Sequence, residues 1–136
     1  MASILALDYG GKRVGVAIAR AGFSHPLVTL ANDGSLIKNV CDLITENEAS
    51  ELIVGLPRNL NGDDTVQTTT VREFVNQLKS RLTIPVYLID EAATSVEAEA
   101  KLKAGKKPYV PKDIDALAAA LILDNYLANE RDRNQV

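Results

Sequence analysis

At 136 residues and 46% apolar, with most of the apolar residues Ala, Val, Ile and Leu, the chain has room for one domain packed around one aliphatic core. A formal charge of −3 and a pI near 5.1 exclude a protein that coats nucleic acid by bulk electrostatics, but not one with a local basic patch. The lone Cys41 excludes an intrachain disulfide and reads as an inert buried thiol. No signal-like segment and no apolar run near the roughly 20 residues of a bilayer span occurs, so a cytoplasmic protein without membrane contact is expected.

Short β-branched runs bounded by Gly, Pro, Asn or Asp predict strands at 4–7, 14–19 and about 27–31. Gly10 and Gly11 predict a tight antiparallel hairpin between the first two, through the positive φ that glycine tolerates. Leu36, Ile37, Val40, Leu43 and Ile44 recur at helical spacing behind Ser35, a candidate cap. "ELIVGLP" supplies a buried strand at 52–54, and Val71, Phe74, Val75, Leu78 and Leu82 a second amphipathic helix, with Thr70 and Glu73 at capping-box spacing. A strand at 86–89, a helix at 96–102, a basic loop with Pro108 and Pro111, and a helix at 114–127 follow; the polar end, about 129–136, should fray. Strand-helix-strand passages require parallel pairing, so the expected architecture is α/β: a single domain with a five-stranded mixed sheet, an antiparallel hairpin plus parallel strands, flanked by helices.

Acids stand at the ends of these elements. Asp8 closes the first strand, Asp90 and Glu91 close the last, and Asp113 and Asp115 open the final helix. Ligand sites in open α/β sheets lie at strand carboxyl ends, so Asp8 and one of the Asp90-Glu91 pair can meet there. Converging acids repel and raise one another's pKa unless a cation lies between them. Oxygen ligands alone, with His25 the only histidine, suit Mg²⁺ or Mn²⁺ rather than Zn²⁺. Magnesium so held binds phosphate oxygens, which points to phosphoester chemistry. Simpler roles compete: Asp8 pairing with Lys12 or Arg13, Asp113 as a helix cap, Asp115 complementing the helix dipole. Glu97 fits a capping box with Thr94, which favours Glu91 as the site acid.

Lys12 and Arg13 follow Asp8 in the hairpin turn and are candidate phosphate contacts. "PRNLNGDDTVQTTT" is long and polar after a strand end, and Arg58, Asn59 and Asn61 are its candidate substrate contacts. "KLKAGKKPYVPK" sets Lys101, Lys103, Lys106, Lys107 and Lys112 together without an acid, as a guide for a nucleic-acid backbone or a merely solvated loop.

"LALDYGGKRVGVA", "LIVGLPRNLNG", "IDEAATSVEAEAKL" and "DIDALAAALILDNYL" occur in the order of the successive motifs of the bacterial YqgF or RuvX family, which the chain resembles over nearly its whole length. The resemblance implies an RNase H-like fold and a nuclease whose catalytic, metal-coordinating acids are Asp8, Glu91 and Asp115. It also implies action on the 5′ end of precursor 16S ribosomal RNA, with Holliday junction resolution as the alternative. Thr94 and Ser95 stand where the family has Thr-Thr and join the substrate contacts. Ala92 stands where the family commonly has Arg, which removes a planar phosphate donor. The implied partners are pre-rRNA or branched DNA and ribosomal particles, with the protein a monomer or weak homodimer.

Two rivals differ in class. Asp-x-Gly also opens actin-like ATPases and sugar kinases, which close nucleotide between two related halves where this chain has length for one. A non-catalytic ribosome-assembly module has no reason to carry three mutually repelling acids.

Overall fold

In the computed structural model, which describes residues 2–57, 64–91, 111–128 and 134–135, every strand outgrows its apolar run. β1 (Ser3–Tyr9) pairs antiparallel with β2 (Arg13–Arg20), and β2 with β3 (Phe23–Ala31). The apolar run marks only a strand's buried middle, whereas the hydrogen-bond ladder continues into polar residues. The glycine expectation shifts too. Among the described glycines positive φ falls at Gly22 (84°), in the β2–β3 turn beside Ala21, and not at Gly10 or Gly11. Gly10 is required for space instead, because a Cβ there would lie 2.6 Å from the Arg13 carbonyl oxygen that its own N–H donates to.

α1 (Leu36–Glu46) begins after Ser35, whose side chain makes no cap bond to the helix. The Ser35 hydroxyl and amide both donate to Asp33 Oδ1, and together they hold the Asp33 carboxyl below its ordinary pKa. β4 (Ala49–Pro57) leads to α2 (Val66–Lys79). The α2 cap is Thr65 with Thr68 in a reciprocal box, one turn earlier than Thr70 and Glu73; Thr70 lies inside the helix and its hydroxyl donates to the Val66 carbonyl. β5 (Val86–Glu91) and α3 (Pro111–Ala128) complete the described core. Pro111 supplies the pre-set φ of a first helical residue, so Asp113 stands in the first turn, beside the positive dipole end, rather than at the cap. The helix expected at 96–102 lies outside the described residues.

The sheet order is β3-β2-β1-β4-β5-β6, with β1-β4 and β4-β5 parallel. The expected five-stranded mixed sheet is joined by a two-residue strand, β6 (Asn134–Gln135), which pairs antiparallel with Leu88 and Tyr87 along the edge of β5.

Both crossovers, β3 to β4 through α1 and β4 to β5 through α2, step the same way across the sheet. Right-handed connections then place α1 and α2 on one face. Leu5, Leu7, Val16, Val54 and Leu88 bury against Val40, Val71, Phe74 and Leu78 there. The other face belongs to α3, where Ala6, Ala17, Ala19, Ile53, Tyr87 and Ile89 meet Ala119, Ile122, Leu123 and Tyr126. Small residues on β1 and β2 let α3 settle close to the sheet. No helix of the described residues is long and apolar enough to cross a membrane.

Thr68 joins the two ends of the 58–63 segment. Fully buried, its hydroxyl donates to the Pro57 carbonyl, and its oxygen accepts from the Thr65 amide at 2.8 Å. Thr68→Val keeps the shape and strands both backbone groups, so it should destabilise by about 2 kcal/mol, read by urea unfolding; a cost under about 0.5 kcal/mol would mean that neither bond matters.

Candidate active site

Strand alternation decides which acids share a face. Asp8 follows Ala6 by two residues and stands opposite Gly15, itself two residues before Ala17; Ala6 and Ala17 both pack on α3. Asp8 is therefore on the α3 face, half-buried. Tyr9, the next residue, turns to the other face and meets Phe74 with ring centroids 4.7 Å apart. By the same alternation position 91 belongs with Tyr87 and Ile89 on the α3 face, whereas Asp90, exposed, belongs with Val86 and Leu88.

The parallel register sets the levels. Leu7 pairs with Val54, and Gly55 with Ile89, so Asp8 stands level with Ile89 across β4, and Glu91 pairs with Pro57 two residues further on. The two acids lie at the carboxyl ends of parallel strands separated by two interstrand steps, roughly 10 Å.

α3 delivers the third acid by direct backbone contact. A Cβ on Gly15 would lie 1.9 Å from the Asp115 carbonyl oxygen and 2.8 Å from the Ala116 nitrogen. Only a glycine lets the first turns of α3 rest on β2, and the residue paired across the ladder with that glycine is Asp8. A glycine inside a strand signals such close approach. Sequence reasoning passed over Gly15, although "RVGVA" carries that sign.

Asp115, with 22% of its side chain exposed, is met by Arg13, whose Nε donates to Oδ2 at 2.6 Å. Arg13, one of the two candidate partners for Asp8, reaches across to the helix instead. Lys12 is exposed in the turn beside it. Arg58, Asn59, Asn61, Ala92, Thr94, Ser95, Lys106 and Lys107 lie outside the described residues, as does the Glu91 side chain. Among the described residues no set of three metal-ligating side chains is assembled. Asp8, Asp115 and position 91 nonetheless share one face, and a carboxylate-only donor set suits a hard divalent cation.

A mixed sheet that opens with an antiparallel meander, continues in parallel and carries acids at its strand ends defines an RNase H-like α/β domain. Thermus thermophilus RuvC, solved in complex with a Holliday junction substrate, superposes over the full length of both chains with a TM-score of 0.62 at 16% identity, a likeness of fold. The chain belongs to the RuvX family, described as Holliday junction resolvase, whose profile matches residues 2–129. A Methylobacillus flagellatus protein named "Putative pre-16S rRNA nuclease" is 40% identical over 132 residues, covering 90% of this chain and 88% of its own. A Chloroflexus aurantiacus protein of the same name is 40% identical over 134 residues, covering 94% and 88%.

Proposed function

We propose that this protein is a metal-dependent nuclease that hydrolyses phosphodiester bonds at the 5′ end of precursor 16S ribosomal RNA in the cytoplasm. The observation that supports this reading is the seating of the Asp115 backbone on Gly15, the residue paired with Asp8 across the β1–β2 ladder. A carboxylate-only donor set placed at one end of the sheet suits a hard divalent cation.

Asp8, Glu91 and Asp115 would hold Mg²⁺ or Mn²⁺, which when bound supplies an activated water and charge stabilisation for in-line displacement. The chain's own work is placement. The sheet holds Asp8 at a strand end, and the Gly15 contact holds the Asp115 backbone against β2. Lys12 and Arg13 stand next to the acids, where basic groups would receive backbone phosphates and set register without reading bases. Arg58, Asn59, Asn61, Thr94, Ser95, Lys106 and Lys107 would extend that contact. Cys41 and His25 have no part in it, since the chemistry requires no nucleophilic side chain. The 40%-identical relatives named for pre-16S rRNA favour RNA over a junction as substrate.

The test incubates purified protein with labelled precursor 16S RNA and with a four-way DNA junction, in Mn²⁺, Mg²⁺ or chelator. Cutting of the RNA near the mature 5′ end, abolished by chelator, is the expected result. Cutting of the junction alone would transfer the reading to branched DNA, and chelator-resistant cutting would remove the metal from it.

A further inference from the structure

The Arg13–Asp115 ion pair occupies an acid that the proposed function assigns to the metal. We infer that Arg13 is an exchangeable counter-cation: it neutralises Asp115 in the metal-free protein, and leaves it when the divalent ion arrives, freeing its guanidinium for a substrate phosphate. This rests on the metal-dependent reading of the site.

Two observations say which partner moves. The Asp115 backbone is fixed on Gly15, with no room for even a methyl group between them, so its short side chain has little reach. Arg13 can leave: its side chain is 43% exposed and is held through Nε alone. Among the described residues its side chain makes no other hydrogen bond or ion pair, and neither does the Asp115 carboxylate. A planar guanidinium with terminal donors to spare is suited to phosphate oxygens.

The opposite role, Arg13 orienting Asp115 for the metal as an outer partner, predicts a loss of metal affinity when it is removed, typically 10- to 100-fold. Charge argues otherwise. A guanidinium that stays on the carboxylate lies within a few ångströms of an incoming divalent ion, and at such range two like charges repel strongly even at an intermediate dielectric. Removing it should favour the ion.

Arg13→Gln is compared with the unaltered protein and Lys12→Gln by calorimetric titration of Mn²⁺ alone, with folding checked by circular dichroism. Arg13→Gln should bind Mn²⁺ about three- to tenfold more tightly, because no ion pair must be broken first. Lys12→Gln should change affinity far less, since Lys12 forms no ion pair among the described residues. Equal or weaker binding by Arg13→Gln overturns the inference, and so does an equal gain in Lys12→Gln, which would make the effect one of general charge. Failure of the unaltered protein to bind Mn²⁺ at all would instead remove the metal-dependent reading beneath it.

Discussion

Asp8→Asn should lower metal-dependent cleavage by on the order of 10³-fold, about 4 kcal/mol of transition-state stabilisation, while leaving the protein folded. The substitution keeps size and shape and removes one negative charge from the place where β1 and α3 bring acids together. Under the proposed mechanism the metal would supply most of the charge stabilisation, so losing an anionic ligand would cost both ion affinity and the alignment of the attacking water. The fold has little reason to object, because Asp8 is only half-buried and an amide repels its acidic neighbours less than a carboxylate does. The unfolding midpoint should therefore fall by no more than a few degrees. Cleavage kinetics at saturating Mn²⁺ together with a thermal melt decide it. Undiminished cleavage by a folded Asp8→Asn protein would end the reading of this face as an active site.

Gly15→Ala tests placement instead of chemistry, with an equally large effect. The added methyl would fall 1.9 Å from the Asp115 carbonyl oxygen, inside van der Waals contact with the backbone of a helix that has no flexible end to give way. α3 must lift from β2 by more than an ångström. Overpacking of this kind costs typically 1–3 kcal/mol, and a backbone-on-backbone clash belongs at the top of that range, about 3 kcal/mol. For a domain of this size the midpoint should drop by roughly 10 °C. Activity should fall further than the folded fraction does, because the lifted helix carries Asp115 away from Asp8. Gly34→Ala is the matched control: nothing lies within 4 Å of its added Cβ and it has no positive φ, so the change should be within about 0.5 kcal/mol. Comparable stability and turnover in Gly15→Ala and Gly34→Ala would refute the close approach of α3.

The two variants separate causes that a single loss of activity would confuse. Asp8→Asn removes a ligand from an intact scaffold; Gly15→Ala leaves every acid in the chain and displaces one. Added Mn²⁺ should rescue part of the first defect by mass action and little of the second.

Much of this was legible in the residues. Apolar runs three to six residues long and 3.6-residue periodicity place the hairpin, the parallel strands and the amphipathic helices, because burial of one face is a local demand written at fixed spacing. Asp8 announces itself as a carboxylate at the end of an apolar strand, and the absence of any histidine but His25 narrows the metal chemistry before any contact is known. The four motif blocks imply Glu91 and Asp115 as the acids that would complete the proposed site, a role that no periodicity would single out.

What only the tertiary structure decided is which groups touch. Capping strength differs little among neighbouring threonines, so Thr65 and Thr68, rather than Thr70, begin α2 because Thr68 also finds the Pro57 carbonyl. Asn134 and Gln135 pair with β5 although nothing in their composition asks for a strand, since an open edge accepts whatever backbone reaches it. Arg13 bonds Asp115, 102 residues away, rather than Asp8, five residues away, because the seating of α3 on Gly15 sets that carboxylate beside it. Local pattern determined which residues are buried and which acids lie at element ends; the packing of one helix on one glycine decided which of them meet, because contact between distant segments depends on space that neither segment encodes alone.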